Sequence, residues 1–398
     1  MGWFIVYHKC KKPIKWENQS KEDDIMVYKD FKGNKVSSMG MGNMRLPQIG
    51  EGFRAPVDYA KAQELVDHAI ANGVNYFDTA YDYHGGDSEK FVGEALSKYP
   101  RDSYYLATKF FILASEDYKA VFEEQLKRLK TDYIDYYMIH GIFDHTFQRY
   151  LDCGCIEYFE EQKAKGRIKH FGFSSHANAE NLTTFANRRA WDFCMIQLNY
   201  FDWFYGETKK LYDILAERNI PVIAMGPVRG GRLGALTPDA ESILKAAHPD
   251  WNTAEWAFKW LKRLPGMQLV LRGISNMDNI KENLTYFQND ESLSDADEEI
   301  LKKACDAFRS EVQVPCTDCR YCCSPCPAKI DIEKIMKVYN RYKIDGPWAL
   351  RGLEEVESEG KPMDCTECGA CNEHCPQSID VVGIMREIKE MMKQFGNH

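Results

Sequence analysis

The stretch NYFDTAYDYHGGDSEKFVGEALSKY, residues 75–99, contains the unit that decides the fold. It opens with a short apolar run, NYFDTA, passes through a loop rich in tyrosine and glycine, and ends in a stretch of helical periodicity from Ser88 to Tyr99. The apolar run has the length of a strand rather than of a helix. Strands that alternate with helices are typical of a parallel sheet covered by helices. The stretch therefore predicts one βα unit.

The same unit recurs along the chain from about residue 36 to residue 290. Each strand candidate is apolar and bounded by turn residues or charges, as expected of strands buried on both faces. Eight such units predict an α/β fold, a closed (β/α)8 or TIM barrel. A doubly wound open sheet is the alternative, but no GxGxxG sequence opens a helix to support it. The predicted strands are VSSMGMG (36–42), NYFDTA (75–80), YYLATKF (104–110), YIDYYMIH (133–140), HFGFSS (170–175), FCMIQLNY (193–200), PVIAMGPV (221–228) and MQLVLRGIS (267–275).

The composition restricts the class of protein. The 398 residues include 60 acidic and 51 basic side chains, and the resulting net charge of −9 disfavours a nucleic-acid-binding surface. No apolar run approaches the roughly 18 residues of a membrane-spanning helix. The N-terminus, MGWFIVYHKCKK, has too short an apolar stretch for a secretory signal. We therefore expect a cytoplasmic protein with no membrane and no nucleic-acid partner.

These patterns divide the chain into three predicted regions. Residues 1–25 have no periodicity and are interpreted as an N-terminal extension that need not belong to the fold. Residues 26–293 form the barrel, preceded by a hairpin that turns at residues 32–34. Residues 294–398 begin with a helix whose serine cap and acidic first turn are favourable at a helix N-terminus. A cysteine-rich domain follows that helix.

Four polar residues stand at or just after the ends of the second, third and fourth predicted strands, where chemistry occurs in a (β/α)8 barrel. They are Asp78, Tyr83, Lys109 and His140. An ammonium group at the end of an apolar strand is costly to desolvate, so Lys109 needs a carboxylate partner, which Asp78 can provide. A lysine beside the phenol should lower the pKa of Tyr83 towards neutrality and make it a general acid. His140 would be a neutral donor that orients a substrate carbonyl.

In the frames FDTAYDYHGG, LATKF and YYMIHG, these four residues resemble the catalytic tetrad of the aldo-keto reductases. The similarity covers about residues 26–290 and continues through GRIKHFGFSSH (166–176), MIQLNY (195–200), VIAMGPVRGG (222–231) and GISNMDNIKENL (273–284). The chain most resembles the subgroup of that family with a C-terminal ferredoxin-like domain. The resemblance implies an NAD(P)H-dependent oxidoreductase that reduces a carbonyl, or oxidises an alcohol, on a small-molecule substrate.

The resemblance also implies a nicotinamide cofactor, NADPH or NADH, bound without a Rossmann motif. Contacts to the carboxamide would come from Ser174, Ser175 and Gln197. The pyrophosphate would lie along Gly226 and Val228. Met225 stands where the family often has an aromatic ring that stacks on the nicotinamide.

The adenosine end of the cofactor site departs from the family pattern. The implied contacts there are Gly273, Ser275, Asn279, Glu282 and Asn283. Gly273 and Asn279 replace the Lys and Arg that bind the 2′-phosphate in NADP-preferring members. Arg272 or Lys281 would have to compensate, because a phosphate prefers a cationic partner. Neither NADPH nor NADH is therefore favoured, and a bound flavin is also compatible with the sequence.

Eight cysteines form two runs of identical spacing near the C-terminus. Both CTDCRYCCSPCP (316–327) and CTECGACNEHCP (365–376) read C-x2-C-x2-C-x3-C-P, the spacing of bacterial-type [4Fe–4S] ligation. In that arrangement the fourth cysteine of each run ligates the other cluster. One cluster would be held by Cys316, Cys319, Cys322 and Cys375, and the other by Cys365, Cys368, Cys371 and Cys326.

The two runs therefore predict two [4Fe–4S] clusters in a ferredoxin-like domain, which the helical periodicity between the runs predicts to be helical. Zinc is the alternative, because paired C-x2-C units also form zinc sites. Cys323 offers a second register for the first run, but the second run has no such spare cysteine and favours the register given above.

Two functions remain open on the sequence alone. One is an aldo-keto reductase type of enzyme with two clusters for electron transfer. The other is an iron–sulfur electron-transfer or redox-sensing protein, whose barrel binds nicotinamide or flavin with little turnover. In both, a ferredoxin or a flavoprotein is the expected redox partner. A structural role is the alternative for the clusters, in which they only hold a small helical domain together, since metal sites contribute folding energy.

Overall fold

A computed structural model describes residues 26–50, 54–316 and 318–395 of the chain, so the predicted extension, residues 1–25, lies outside the described residues. Its strands are β1 (Tyr28–Phe31), β2 (Asn34–Ser37), β3 (Met39–Gly42), β4 (Tyr76–Asp78), β5 (Tyr105–Phe110), β6 (Ile134–Ile142), β7 (Ile168–Ser175), β8 (Cys194–Gln197), β9 (Val222–Met225) and β10 (Met267–Gly273). Strands β3 to β10 are parallel and close into a barrel in the order β10-β3-β4-β5-β6-β7-β8-β9. The predicted (β/α)8 barrel is confirmed, and the open sheet is wrong.

The hairpin of β1 and β2 closes the N-terminal end of the barrel. Its two-residue turn, Lys32 and Gly33, has positive φ at both positions, which matches the right-handed twist of the strands. Phe31 at the turn is 1% exposed and packs against Tyr136 and Phe193 inside the barrel. Because large aromatic rings fill this end, a ligand can enter only at the opposite, C-terminal end of the strands.

Helices cover the outside of the barrel. They are α1 (Tyr59–Ala71), α2 (Asp87–Leu96), α3 (Tyr118–Arg128), α4 (Phe147–Asp152), α5 (Cys155–Ala164), α6 (Ala179–Ala186), α7 (Tyr200–Tyr205), α8 (Thr208–Ala216), α9 (Pro238–Ala247), α10 (Thr253–Lys262), α11 (Met277–Thr285) and α12 (Asp295–Val312). Side-chain caps fix several starts, for example Asp58 for α1 and Asn252 for α10. Ser294 and Asp297 form a capping box at α12, as the sequence predicted.

Two predicted strands extend three residues beyond the C-terminal ends of the observed strands. The run 193–200 leaves the sheet after Gln197, because Asn199 caps α7 through its side chain. The run 221–228 leaves the sheet after Met225, because Gly226 adopts the left-handed conformation, with φ of +61°. Both strands therefore end at residues of the barrel mouth, and loops carry the remaining predicted positions.

The C-terminal region is a helical domain with its own core. Its helices are α13 (Ile332–Asp345), α14 (Gly352–Glu355), α15 (Ala370–Glu373) and α16 (Val381–Phe395), and residues 318–395 contain no strand. The helical ferredoxin-like domain is thus confirmed, but the helical periodicity of WALRGLEEVESEG (348–360) gives only the short helix α14. It ends at Glu355 because the chain returns to pair Gly360 with Ile330, and Gly360 packs tightly against the carbonyl of Ala328.

This domain packs on the barrel at the end where the strands terminate. Helix α12 packs along α9, and the C-terminal end of α13 contacts the loop of residues 229–234 that follows β9. Ile344 of α13 is buried within the hydrophobic core of the barrel. Among the described helices, none combines the length and the hydropathy of a membrane-spanning helix. The exact boundary at residue 293 stays a prediction.

Candidate active site

An ion pair between Asp78 and Lys109 lies at the floor of the barrel mouth. Asp78 ends β4, Lys109 lies on the neighbouring strand β5, and both side chains are 1% exposed. The Lys109 ammonium contacts Asp78 Oδ1 and also donates to the carbonyl of Thr79 at 2.7 Å. Burial alone would lower the pKa of Lys109, but Asp78 and Tyr83 hold it above its ordinary value. The carboxylate partner that the sequence required is the observed one.

Tyr83 lies directly above this ion pair. Its loop turns back over the mouth through His84 and Gly85, which have left-handed backbones, and Lys109 Nζ lies 4.9 Å from the centre of the Tyr83 ring. Burial raises the pKa of Tyr83 above its ordinary value, and the nearby Lys109 charge offsets this only in part. The expected shift towards neutrality was therefore wrong in direction, because the buried phenol is desolvated more than the ammonium stabilises its anion. Tyr83 keeps its proton at neutral pH.

His140 completes the group from strand β6. Its ring stands edge-on to Tyr83 with centroids 5.7 Å apart, and Phe111 lies 5.1 Å away on another side. Burial, with the nearby Lys109 charge, holds the pKa of His140 well below its ordinary value. The imidazole is therefore neutral at physiological pH, as the sequence predicted. All four predicted residues converge at one mouth.

Three further residues support this group and were missed from the sequence. Asp82 Oδ1 lies 3.7 Å from His140 Nδ1, and Tyr150 donates its hydroxyl to the carbonyl of His140 at 2.6 Å. The buried amide of Asn43 donates to the carbonyl of Asp78 at 2.9 Å. Asp82 could have been noticed as a charge beside Tyr83. Tyr150 and Asn43 carry no sequence signal, since only the folded chain brings them to the strand ends.

The residues predicted for the nicotinamide line the adjacent side of the mouth. Ser174 and Ser175 end β7, Gln197 ends β8 and Met225 ends β9, with Gln197 and Met225 paired in register. Ser174 Oγ accepts the amide of Gly141 at 2.8 Å, so the serine proton stays available to a ligand. Gln197 donates its amide nitrogen to Asp202 at 2.8 Å, which leaves its carbonyl oxygen at the mouth. These polar groups on neighbouring strands fit a carboxamide.

The next loop fits a pyrophosphate. Gly226 has a left-handed backbone, and added Cβ atoms at Gly230 and Gly231 would meet no atom within 4 Å, so the loop has open space above it. Val228 is buried in the same loop. The glycine-rich turn after β9 therefore has the space that a pyrophosphate would need.

The adenosine side is only partly as predicted. Gly273 ends β10, Ser275 donates to Asn279 at 2.9 Å at the start of α11, and Glu282 is an exposed residue further along that helix. Asn283, by contrast, is buried, with its amide groups engaged by Arg272 at 2.8 Å and by the carbonyl of Asn279. Asn283 is thus oriented away from a ligand in this structure.

The two cations considered for a 2′-phosphate differ in availability. Arg272 stacks 4.9 Å from the Phe258 ring, and burial lowers its pKa to about 10, so its guanidinium is committed to the protein interior. Lys281 is exposed on α11. Arg45, which the sequence did not suggest, is also exposed and lies against Gly273, where an added Cβ would be 3.4 Å from its Cδ. Arg45 is therefore an exposed cation beside the C-terminal end of β10.

The C-terminal domain contains two cavities, each lined by four cysteines from both runs. Cys316, Cys319 and Cys322 line the first together with Cys375. The second is lined by Cys365, Cys368, Cys371 and Cys326. The structure thus brings together the sets that the spacing predicted, with the fourth cysteine of each run in the other cavity. Cys323 lines neither cavity, and its thiol lies 3.7 Å from Asp331.

The donor set of these cavities fits iron–sulfur clusters. Four thiols around one cavity match the four ligands of a [4Fe–4S] cluster. Within the residues that the structure describes, no three His, Cys, Asp or Glu side chains are arranged to hold one metal ion. A cavity lined by four cysteines suits a polyatomic group such as a cluster.

Family comparisons identify both parts of the chain. Residues 38–306 match the model of the aldo/keto reductase family, and residues 315–379 match that of a 4Fe-4S dicluster domain. A (β/α)8 barrel with a tyrosine above a buried lysine–aspartate pair, followed by a domain with paired cysteine cavities, defines an iron–sulfur oxidoreductase class. The chain belongs to the aldo/keto reductase family.

Curated relatives support the same assignment. The uncharacterized oxidoreductase YqkF of Bacillus subtilis is 29% identical over 280 residues, which cover 62% of this chain and 89% of that protein. The methylglyoxal reductase YeaE of Escherichia coli is 25% identical, with 66% of this chain and 92% of that protein covered. The NADH-specific methylglyoxal reductase of Escherichia coli is 23% identical, with 69% of this chain and 96% of that protein covered.

Solved structures agree in fold. Aldo-keto reductase AKR11C1 from Bacillus halodurans in its holo form has a TM-score of 0.58 at 28% identity, covering 70% of this chain and 96% of that chain. An aldo-keto reductase from Klebsiella pneumoniae in complex with NADPH has a TM-score of 0.57 at 22% identity, covering 71% and 96%. The second likeness concerns the fold alone.

Proposed function

We propose that the protein reduces a small carbonyl compound with NAD(P)H, or runs the reverse oxidation of an alcohol, and that two [4Fe–4S] clusters in its C-terminal domain transfer electrons. The observation that carries the first part is the convergence of Tyr83, His140 and the buried Lys109–Asp78 pair at one mouth. An acid, its charge partner and an orienting imidazole are the groups that carbonyl reduction needs.

The side chains divide the work by their protonation states. Tyr83 holds its proton and donates it to the substrate oxygen as that oxygen gains negative charge. Lys109 is kept cationic by Asp78, so it stabilises the phenolate that Tyr83 becomes. Neutral His140 orients the carbonyl, since a charged imidazole would compete with Tyr83 as the acid. The reduced nicotinamide provides the hydride.

The cofactor is proposed to lie from β7 across to α11. Ser174, Ser175 and Gln197 hold the carboxamide, and Met225 replaces an aromatic ring beside the nicotinamide. Gly226 and Val228 line the pyrophosphate. At the adenosine end the proposed contacts are Gly273, Ser275, Asn279 and Glu282. Asn283 is available to the cofactor only if its hydrogen bonds to Arg272 and Asn279 break. Both NADH and NADPH fit this site, because Arg272 is held by Asn283 and the other cations considered, Arg45 and Lys281, are exposed.

The clusters are proposed to be close neighbours that pass electrons to or from an outside protein. Val381 lines both cysteine cavities, which supports a short separation between the clusters. A nicotinamide gives two electrons at once as hydride, whereas each cluster passes one electron. Transfer between the two systems therefore needs a flavin or a partner such as a ferredoxin or flavoprotein, in an oxygen-poor cytoplasm.

The proposed reaction is tested by NAD(P)H oxidation with methylglyoxal. This small carbonyl compound is the substrate in the names of two relatives of this chain. We expect Tyr83→Phe to lose activity by a factor on the order of a hundred to ten thousand while nicotinamide binding persists. Tyr81→Phe is the matched control, because the Tyr81 hydroxyl bonds Glu124 outside the site. Equal activity of Tyr83→Phe and wild type would overturn the assignment. Absence of any carbonyl turnover in the wild type would favour the redox-sensing alternative.

A further inference from the structure

The iron–sulfur domain contributes a charged side chain beside the proposed nicotinamide site. Asp345, the last residue of α13, has a side chain that is 3% exposed and forms an ion pair with Arg229 of the barrel. Arg341 holds the other oxygen of Asp345 at 3.1 Å. The preceding residue, Ile344, is buried in the barrel core, so the carboxylate is fixed on the barrel by packing as well as by charge.

Arg229 occupies the loop that follows β9, three residues after Gly226. Its φ of 49° lies in the left-handed region, which is uncommon for a residue with a side chain and must be held by its contacts. The guanidinium is largely buried and bridges two carboxylates. Besides Asp345, it contacts Asp202 Oδ1 through Nε at 3.0 Å and through Nη2 at 2.9 Å.

Asp202 links this arginine to the mouth. Its second oxygen, Oδ2, accepts the amide of Gln197 at 2.8 Å and that of Asn199 at 2.7 Å. Gln197 therefore has its nitrogen fixed from behind, and only its carbonyl oxygen is left for a ligand. Asp345, Arg229, Asp202 and Gln197 form an unbroken polar chain from α13 to the end of β8.

We infer that Arg229 is a positioning residue for the nicotinamide carboxamide and that the iron–sulfur domain anchors it through Asp345. The inference rests on the proposed binding of NAD(P)H. Arg229 fixes Asp202, and Asp202 fixes the rotamer of Gln197, so a partner in the C-terminal domain determines how well the barrel holds the reactive end of the cofactor. By thermodynamic reciprocity, cofactor binding and docking of the domain strengthen each other.

The test is anaerobic titration of the holoprotein with NADH and with ADP-ribose, which lacks the nicotinamide, followed by intrinsic fluorescence. We expect Asp345→Asn to raise the Kd for NADH about tenfold, as for coupled residues in one hydrogen-bond network. The Kd for ADP-ribose should change less than about twofold. Arg229→Gln should give the same pattern from the barrel side. Glu387→Gln is the control, since it removes the ion pair with Lys343 inside the C-terminal domain without touching Arg229.

The outcomes separate this inference from the proposed function. If the wild type binds neither NADH nor NADPH, the proposed function fails, and the inference fails with it. If the wild type binds NADH and both variants bind it equally well, the inference alone is overturned. A parallel loss of NADH and ADP-ribose binding would also overturn it, because that pattern reports a disturbed loop. If Asp345→Asn lowers the visible absorbance of the clusters, that variant has disturbed the iron–sulfur domain. The NADH and ADP-ribose affinities of Arg229→Gln then decide the result.

Discussion

The barrel mouth and the cysteine cavities place their reactive groups by different means. Asp78 and Lys109 lie 31 positions apart, and packed strands bring them together at 1% exposure with no bound group to hold them. The cysteines of each cavity come mainly from one short run, with a single thiol from the other, and half of them are only partly buried. The fold itself fixes the first site, whereas the proposed clusters would fix the second. Damage to each site should therefore have different consequences.

The largest effect is expected from Lys109→Met. Carbonyl reduction should fall on the order of a hundred- to ten-thousand-fold, because Tyr83 loses the charge that stabilises its anion. The free energy of unfolding should also fall by about 3–5 kcal/mol, because Asp78 is left buried without its partner. Steady-state kinetics and urea unfolding measure the two losses.

A double variant sharpens that result. Asp78→Asn combined with Lys109→Met should recover much of the stability but none of the activity, because no unpaired charge remains. Lys90→Met on the exposed face of α2 is the matched control and should change neither quantity. Full activity in Lys109→Met would contradict the assigned role.

The next effect concerns the cavities. Cys319→Ser and Cys375→Ser should each lower the iron content from about eight to about four atoms per chain, because both lose the same cluster. Their combination should lose no more iron than either alone, whereas Cys319→Ser with Cys368→Ser should lose nearly all. Cys323→Ser, which lines neither cavity, should keep the full iron content. An additive loss in the first pair would contradict the crossed arrangement.

A smaller effect is expected at the adenosine end of the barrel. NADH and NADPH should bind within about tenfold of each other, a difference of roughly 1.4 kcal/mol. Arg45→Ala should weaken NADPH more than NADH, because Arg45 is the exposed cation beside Gly273. Lys281→Ala serves as the comparison. A hundredfold preference for NADPH in the wild type would show that one of these cations binds the 2′-phosphate.

The smallest effect is the response to pH. Tyr83 has a raised pKa and loses its proton only above its ordinary value of 10.0, and His140 has a lowered pKa and gains a proton only well below 6.5. Both groups therefore keep their working forms between these limits, and kcat/KM should vary less than about twofold from pH 7 to 9. A midpoint near neutrality in the pH profile of kcat/KM would instead support the lowered pKa of Tyr83 that the sequence suggested.

Stability should follow the same titrations. Below about pH 6.5 the unfolded chain protonates His140 while the folded chain does not, so folding should weaken as the pH falls. His140→Gln should reduce this dependence, which urea unfolding at several pH values can detect.

Much of both sites could be predicted from the sequence. The strand ends revealed Asp78, Lys109 and His140, because buried strands and their final polar residues have a recognisable pattern. The crossed cysteine sets followed from spacing alone. The pKa of Tyr83 could not be predicted, since its direction depends on how deeply the loop is buried.

Long-range polar contacts were beyond the sequence as well. The ion pair of Arg229 with Asp345 joins residues of two domains, and the left-handed backbone of Arg229 has no signature in GPVRGG. Asn283 and Arg272 looked available for a cofactor, but the fold turns them towards each other at 2.8 Å. Such side-chain orientations depend on packing in the folded chain, which leaves no periodic pattern in the sequence.

We propose that the barrel transfers hydride and that the C-terminal domain transfers single electrons. Electrons therefore cannot pass directly between the nicotinamide and the clusters. The decisive measurement is anaerobic mixing of flavin-free holoprotein with NAD(P)H, with and without added flavin, while the broad visible absorbance of the clusters is followed. We predict bleaching only when flavin or another one-electron partner is present. Bleaching by NAD(P)H alone would contradict the claim.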